Sequence, residues 1–402
     1  MGFFKSFSKS ATSGTDSRIY LDYASSTPLD MEMLKSFPAL SEAAQEANPS
    51  ALHKEGLEAK KALSDARALV AGTLFAHADE IVFTSNATES DNLALQGAVT
   101  AFLHKGIAKE QIALVVSDTE HAAVLETAQA FGKDMAVIVL PTEEGILDPK
   151  SIVVPEGAQA MIVSVMHVNN EIGVVQPICE IAKRIRFLRK HHPDVAIILH
   201  TDATQAPLHF SLNVQKLGID MMTLGATKLY CPKGVGLLYV KRGTMLAPVM
   251  HGGGQEFGLR PGTQPVQLIH DFAHALAFAQ REREAYSEKA AAVQQAAEAA
   301  IMKLLPDAVI TSKDLERTPH ITHIAIKGFD SELLVLELDA RGFAVSAKSA
   351  CKNEEVNESS IVERIYGNGW GVVRFSFGRD TAKSDAEKAV AALARILEKY
   401  GQ

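Results

Sequence analysis

Cysteine is scarce in this chain, with Cys179, Cys231 and Cys351 the only three among 402 residues. Three scattered cysteines make neither a disulfide framework nor a zinc cluster, and no metal is expected. Their scarcity fits a reducing, cytoplasmic setting, and one of them can still serve as a nucleophile. No apolar run approaches the roughly 18 residues that cross a bilayer, so no membrane association is expected. Positive charge is not in excess either. Lys plus Arg number 40 against 48 Asp plus Glu, a formal charge of -8, which disfavours nucleic acid as a direct partner. With 47% hydrophobic and 22% charged residues, 27 Gly and 15 Pro, the chain is not disordered, collagenous or coiled-coil. The opening MGFFKSFSKSATSGTDSR is basic and Ser-rich without a continuous apolar core, unlike a secretory signal. Gly2 with Ser6 fits the loose myristoylation pattern, and the segment faintly resembles a transit peptide. A flexible tail over 1–17, ahead of a first strand at 18–22, is the simpler expectation.

From about residue 80, short apolar runs alternate with longer helical patterns. Strands are expected at 80–84, 112–117, 135–140, 160–166, 195–200, 219–224 and 235–240. Continuous apolar runs mark strands buried on both faces of a parallel sheet. Helical stretches at 89–105, 122–131 and 178–189 lie between several of them. The pattern predicts an α/β domain with right-handed crossovers, whose ligands sit beyond the carboxyl ends of the strands. After about residue 265 a long Ala-rich helix, 267–305, leads into shorter strands at 320–326 and 372–377 with a helix near 331–341. That region reads as a smaller α+β domain. The expected division is a tail at 1–17, a large domain at 35–282, and a small domain assembled from 18–34 and 283–402.

The strand ends carry the chemistry. The first runs into Ser85-Asn86-Ala87-Thr88-Glu89-Ser90-Asp91-Asn92, where a helix start could bind an anion or simply be capped. Others end near His121, near Asn169 and Asn170, and in Thr201-Asp202-Ala203-Thr204-Gln205. The next ends in Gly225-Ala226-Thr227-Lys228. A lysine, a carboxylate and an anion site on one sheet edge are what pyridoxal phosphate requires, for a Schiff base, a pyridinium nitrogen and a phosphate. Gly252-Gly253-Gly254 has no strand–turn–helix context and reads as a tight turn.

With those residues in place, the chain resembles the cysteine desulfurases of the NifS/IscS type, class-V members of the fold-type I pyridoxal phosphate enzymes. The resemblance runs in order through IYLDYASSTPLD (19–30), NPSALHKEGLEAKKAL (48–63), EIVFTSNATESDNLAL (80–95), TEHAAVLE (119–126) and VSVMHVNNEIGVVQPI (163–178). It continues through HTDATQA (200–206), GATKLYCPKGVG (225–236), HGGGQEFGLRPGT (251–263), SAKSAC (346–351) and VRFSFGR (373–379). It implies a mainly parallel seven-stranded sheet flanked by helices in the large domain, plus the smaller α+β domain. It also implies that Lys228 holds the cofactor covalently, Asp202 pairs with the ring nitrogen, and His121 stacks on the ring as acid and base. Asn170 and Gln205 would meet the ring oxygen, with Asn170 also near substrate. Ala87, Thr88 and Thr227 would hold the phosphate, with Thr263 reaching across a homodimer interface. Arg379 would take the substrate carboxylate. Cys351 would be the nucleophile on a small-domain loop.

The implied reaction removes sulfur from L-cysteine, giving L-alanine and a persulfide on Cys351 for a sulfur-acceptor protein such as an iron–sulfur scaffold. Lys348 and Lys352 would favour the thiolate that this needs, whereas Cys179 and Cys231 read as structural. Several positions depart from the family pattern. Gly225 and Thr227 replace the usual Ser and His before the lysine, Asn86 and Cys231 replace Gly, and Tyr23 replaces Asn. Two rival readings remain at this level: another class-V enzyme, such as a selenocysteine lyase or aminotransferase, and a non-catalytic scaffold.

Overall fold

The computed structural model describes residues 18–132, 135–347 and 361–400. The tail at 1–17 and the segment carrying Lys348, Cys351 and Lys352 lie outside the described residues. The strands, in chain order, are β1 (Ile19–Tyr20), β2 (Ile81–Thr84), β3 (Ile112–Ser117), β4 (Ala136–Leu140), β5 (Ala160–Ser164) and β6 (Ala196–Asp202). They continue with β7 (Met221–Gly225), β8 (Gly236–Val240), β9 (Val309–Ile310), β10 (Ile321–Lys327), β11 (Phe343–Ala344) and β12 (Trp370–Ser376).

Seven strands form the main sheet in the order β2-β8-β7-β6-β5-β3-β4. All run parallel except β8, which is antiparallel to both neighbours. Every residue of β2, β3, β5 and β7 is buried, because helices cover both faces and leave no solvent side to call for polar alternation. Edge strand β4 is the exception, with Val139 46% exposed. The α/β architecture and the seven strands match the sequence expectation.

The small unit holds the antiparallel sheet β12-β10-β9 and the parallel pair β1-β11. The 39-residue helix Val266–Leu304, roughly 60 Å long at 1.5 Å per residue, serves both units. Phe272, Leu276 and Ala279 pack into the large core, and Val293, Ala297 and Ile301 into the small one. The N-terminal segment also crosses between them, earlier than expected. Leu21 belongs to the small core, but Tyr23 and Met33 already belong to the large one, because β1 pairs with β11 while the helix Met31–Lys35 packs on the long helix. Tyr23 requires Gly378: a Cβ there would stand 2.1 Å from its ring.

Candidate active site

The carboxyl ends of β2, β3, β5, β6 and β7 open onto one cavity of about 250 Å³. The crevice rule for open α/β sheets is obeyed. At its floor the helix Ala87–His104 begins. Asn86 caps it, its Oδ1 accepting from the Glu89 amide at 2.9 Å, while a Glu89 carboxylate oxygen accepts from the Ser85 amide at 2.7 Å. Ala87 and Thr88 line the cavity, with first-turn amides that helix geometry leaves without intrahelical partners. Gly225 lets the end of β7 approach this turn, since a Cβ there would sit 3.2 Å from the Ala87 Cβ.

Lys228 and Thr227 enter from the turn after β7. The Lys228 ammonium donates to the Ser25 carbonyl oxygen, and the Thr227 carbonyl accepts from the Thr27 amide at 2.9 Å. Asp202 ends β6, is 6% exposed, and accepts from the Thr204 amide at 2.9 Å. Gln205 donates from Nε2 to the Ala24 carbonyl at 2.8 Å. His121 caps the helix Ala122–Phe131 by accepting the Ala123 amide on Nδ1 at 3.1 Å, so Nε2 is the nitrogen left for chemistry. The adjacent asparagines divide their roles. Buried Asn169 braces its own turn through Oδ1 to the Glu171 and Ile172 amides, both 2.8 Å, and Asn170 lines the cavity.

One part of the sequence expectation fares differently. The structure does not bring Arg379 to the cavity. It follows the end of β12, pairs with Asp30, and lies with its guanidinium 4.4 Å over the Tyr230 ring. Arg374, inside β12, lines the cavity instead, with its side chain 3% exposed. It donates to the Asn170 carbonyl (2.7 Å), the Asp22 carboxylate (2.7 Å) and the Ser25 hydroxyl (2.6 Å), while its Nε–H has no partner. Thr263 is exposed and lies away from the cavity lining. Its loop is anchored by Glu256, which forms a buried bidentate pair with Arg67 at 2.6 and 2.7 Å. Cys351 lies outside the described residues.

Sequence reasoning also missed Asp91 and Glu120, polar residues in strand-end segments that resemble ordinary caps. Asp91 lines the cavity fully buried, with its Oδ1 3.7 Å from His200 Nε2. Burial, then the nearby Asp202 charge, raises its pKa well above the usual carboxylate range. Glu120 accepts from the Ser117 hydroxyl (2.5 Å) and the Met166 amide (2.8 Å), and burial pushes it up to about 8. Behind them His200 bridges the Ser164 and Thr223 hydroxyls at 2.9 and 3.0 Å, and burial lowers it to about 3. The cavity therefore offers a primary amine, a buried carboxylate, an amide, an anion-binding helix start and a guanidinium. The unpartnered Thr204 hydroxyl is an orphaned polar group that a polar ligand would answer. This donor set fits pyridoxal phosphate.

The sequence model of the class-V aminotransferases matches residues 19–388. A cysteine desulfurase IscS of Dictyoglomus turgidum is 34% identical over 387 residues, 95% of each chain. Among solved structures, a NifS-like protein superposes with a TM-score of 0.82 at 26% identity, covering 95% of this chain and 100% of its own. A structure of SspA in complex with cysteine gives 0.72 at 31% identity, covering 90% of this chain and 100% of its own.

Proposed function

The chain belongs to the class-V aminotransferase family, and on that premise we propose that it is a pyridoxal phosphate-dependent cysteine desulfurase converting L-cysteine to L-alanine. The observation that carries this reading is the convergence of Lys228, Asp202 and Arg374 on one cavity. Lys228, Asp202, Gln205 and the Ala87–Thr88 turn would hold the cofactor, which would supply an electron sink that loosens bonds at Cα and Cβ of the substrate.

The chain's own residues do the rest. The guanidinium of Arg374 holds the α-carboxylate, with Asp22, Ser25 and the Asn170 carbonyl fixing its plane. Lys228 Nζ moves the Cα proton, and His121 Nε2 manages the substrate thiol proton. The Cys351 thiolate attacks the substrate sulfur. An S–S bond forms, the C–S bond breaks with its electron pair left on carbon, and a proton there completes L-alanine. The outer sulfur of the Cys351 persulfide then passes to a thiolate of an acceptor protein such as an iron–sulfur scaffold, and the Cys351 thiolate leaves.

The same reading includes a homodimer with Thr263 at its interface and a cytoplasmic location. No helix among the described residues is long and apolar enough to cross a membrane. The test is alanine and sulfide release from L-cysteine by the cofactor-loaded protein, with Cys351→Ala as control. Loss of persulfide in that variant, with the cofactor's visible absorbance retained, supports the reading. Undiminished persulfide overturns the nucleophile.

A further inference from the structure

Two histidines that the reaction does not use, buried His320 and half-buried His209, lie between the large and small units. His209, in the segment after β6, and His320, just before β10, stack with ring centroids 4.5 Å apart and planes 18° from parallel. His320 reaches the cavity wall through a chain of defined donors. The Thr318 hydroxyl lies 2.7 Å from His320 Nδ1, and His320 Nε2 lies 3.3 Å from Gln205 Oε1. An amide oxygen only accepts, so Nε2 carries the proton and Nδ1 takes the hydroxyl's. Gln205 Nε2 donates to the Ala24 carbonyl. Both ends of the amide are thereby fixed, and its second N–H is left for a cavity ligand.

We propose that His320 is a positioning residue: it fixes the Gln205 amide against the ring oxygen of bound pyridoxal phosphate and, through its stack on His209, couples that contact to the seating of the small sheet on the large domain. The proposal rests on the reading that Gln205 faces this cofactor. The stack has tethers on each side. His209 Nδ1 lies 3.3 Å from the Ser287 hydroxyl on the long helix, and the His320 carbonyl accepts from the Phe377 amide at 2.8 Å. The arrangement works only while both rings are neutral. His320 faces His209, with Lys228 and Arg374 as nearby positive charges, and its remaining neighbours Thr318, Gln205, Tyr23 and Tyr230 are uncharged. Burial lowers both histidines, His209 to about 3.

The experiment follows the pH midpoint of the cofactor's visible absorbance band after pyridoxal phosphate is added to purified protein. His320→Phe keeps a stacking ring and removes both hydrogen bonds, while His320→Gln restores a donor. The expected result is a midpoint displaced by roughly half a pH unit or more in His320→Phe, the weight of one hydrogen bond. His320→Gln should return most of the displacement, and the thermal midpoint at pH 8 should report folding separately. A merely space-filling role would leave the band where it is. A folded, loaded His320→Phe protein whose band titrates like the parent overturns the proposal. Should that variant not fold, Thr318→Val decides: a smaller displacement in the same direction supports the proposal, and none overturns it. A parent protein that never develops the band overturns the functional reading itself, which is a separate failure.

Discussion

Two arginines five positions apart compete for one task, and replacing each in turn separates them. Arg374 has five N–H donors, of which three are committed to Asn170, Asp22 and Ser25. One Nη1–H remains for a substrate carboxylate, backed by the guanidinium charge. Charge-assisted hydrogen bonds contribute about 1.5–3 kcal/mol each. Losing that bond from a buried site should therefore cost about 1.5–3 kcal/mol, or about 10- to 150-fold in kcat/KM for L-cysteine. Arg374→Ala would also strand the Asp22 carboxylate, confounding stability with binding. Arg374→Lys avoids this by keeping the charge while losing the planar fork, and we expect about a 10- to 100-fold loss. Arg379→Lys instead weakens the Asp30 pair and the Tyr230 contact, costing about 1 kcal/mol of stability with kcat/KM nearly unchanged. The sharpest assay compares L-cysteine with cysteamine, which has no carboxylate. Preference for cysteine should collapse in Arg374→Lys and persist in Arg379→Lys. The opposite pattern would refute the assignment.

Acid should unfold the protein early. Burial holds His167 at about 4, His200, His209 and His323 at about 3, and His320 well below its ordinary value. All five stay neutral in the fold and charge on unfolding below about pH 6.5, so stability is intact above that value and falls as pH drops toward 4. Asp91 and Glu120 are raised and work the other way, since acid relieves the penalty of burying their charge. The balance is an uptake of about three protons on unfolding, or of order 2–4 kcal/mol per pH unit near pH 5.5. A thermal midpoint that stays flat from pH 7 to 5 would contradict it. Gly378→Ala should destabilise by about 1–3 kcal/mol by driving a methyl into the Tyr23 ring; in a Tyr23→Ala background the same substitution should cost little further, a double-mutant cycle read in denaturant melts. Glu256→Gln breaks a buried ion pair and should cost about 3–5 kcal/mol, read as a shift in the urea midpoint.

The strands of the main sheet were legible because strands covered on both faces read as unbroken apolar runs, and Ile112–Ser117 does so over its whole length. Lys228 and Asp202 were legible for a related reason: polar residues ending such runs have few structural uses. Arg374 was not. An arginine inside a strand looks like a solvated side chain, and only the pairing of His323 with Arg374 in the β10–β12 ladder shows which way it faces. Asp91 resembled an ordinary first-turn acid, and its burial comes from a sheet and helix that meet only in the folded molecule. The stacked histidines are 111 positions apart (320 less 209), with no local pattern to announce them.

The hydrogen bond between the Ala24 amide and the Ser376 hydroxyl joins residues 352 positions apart. Its neighbour Ser25 supplies the carbonyl that meets Lys228 and a hydroxyl that holds Arg374. These early residues thus wait for partners made 349 to 352 positions later. At about 5–20 residues per second, β1 and the segment after it remain without their partners for roughly 20–70 s of synthesis. Throughout that interval the nascent chain can complete its seven-stranded sheet but not its lysine site. A cofactor binding before Arg374 is made would meet a cavity open on the side that Ala24, Ser25 and Arg374 later close.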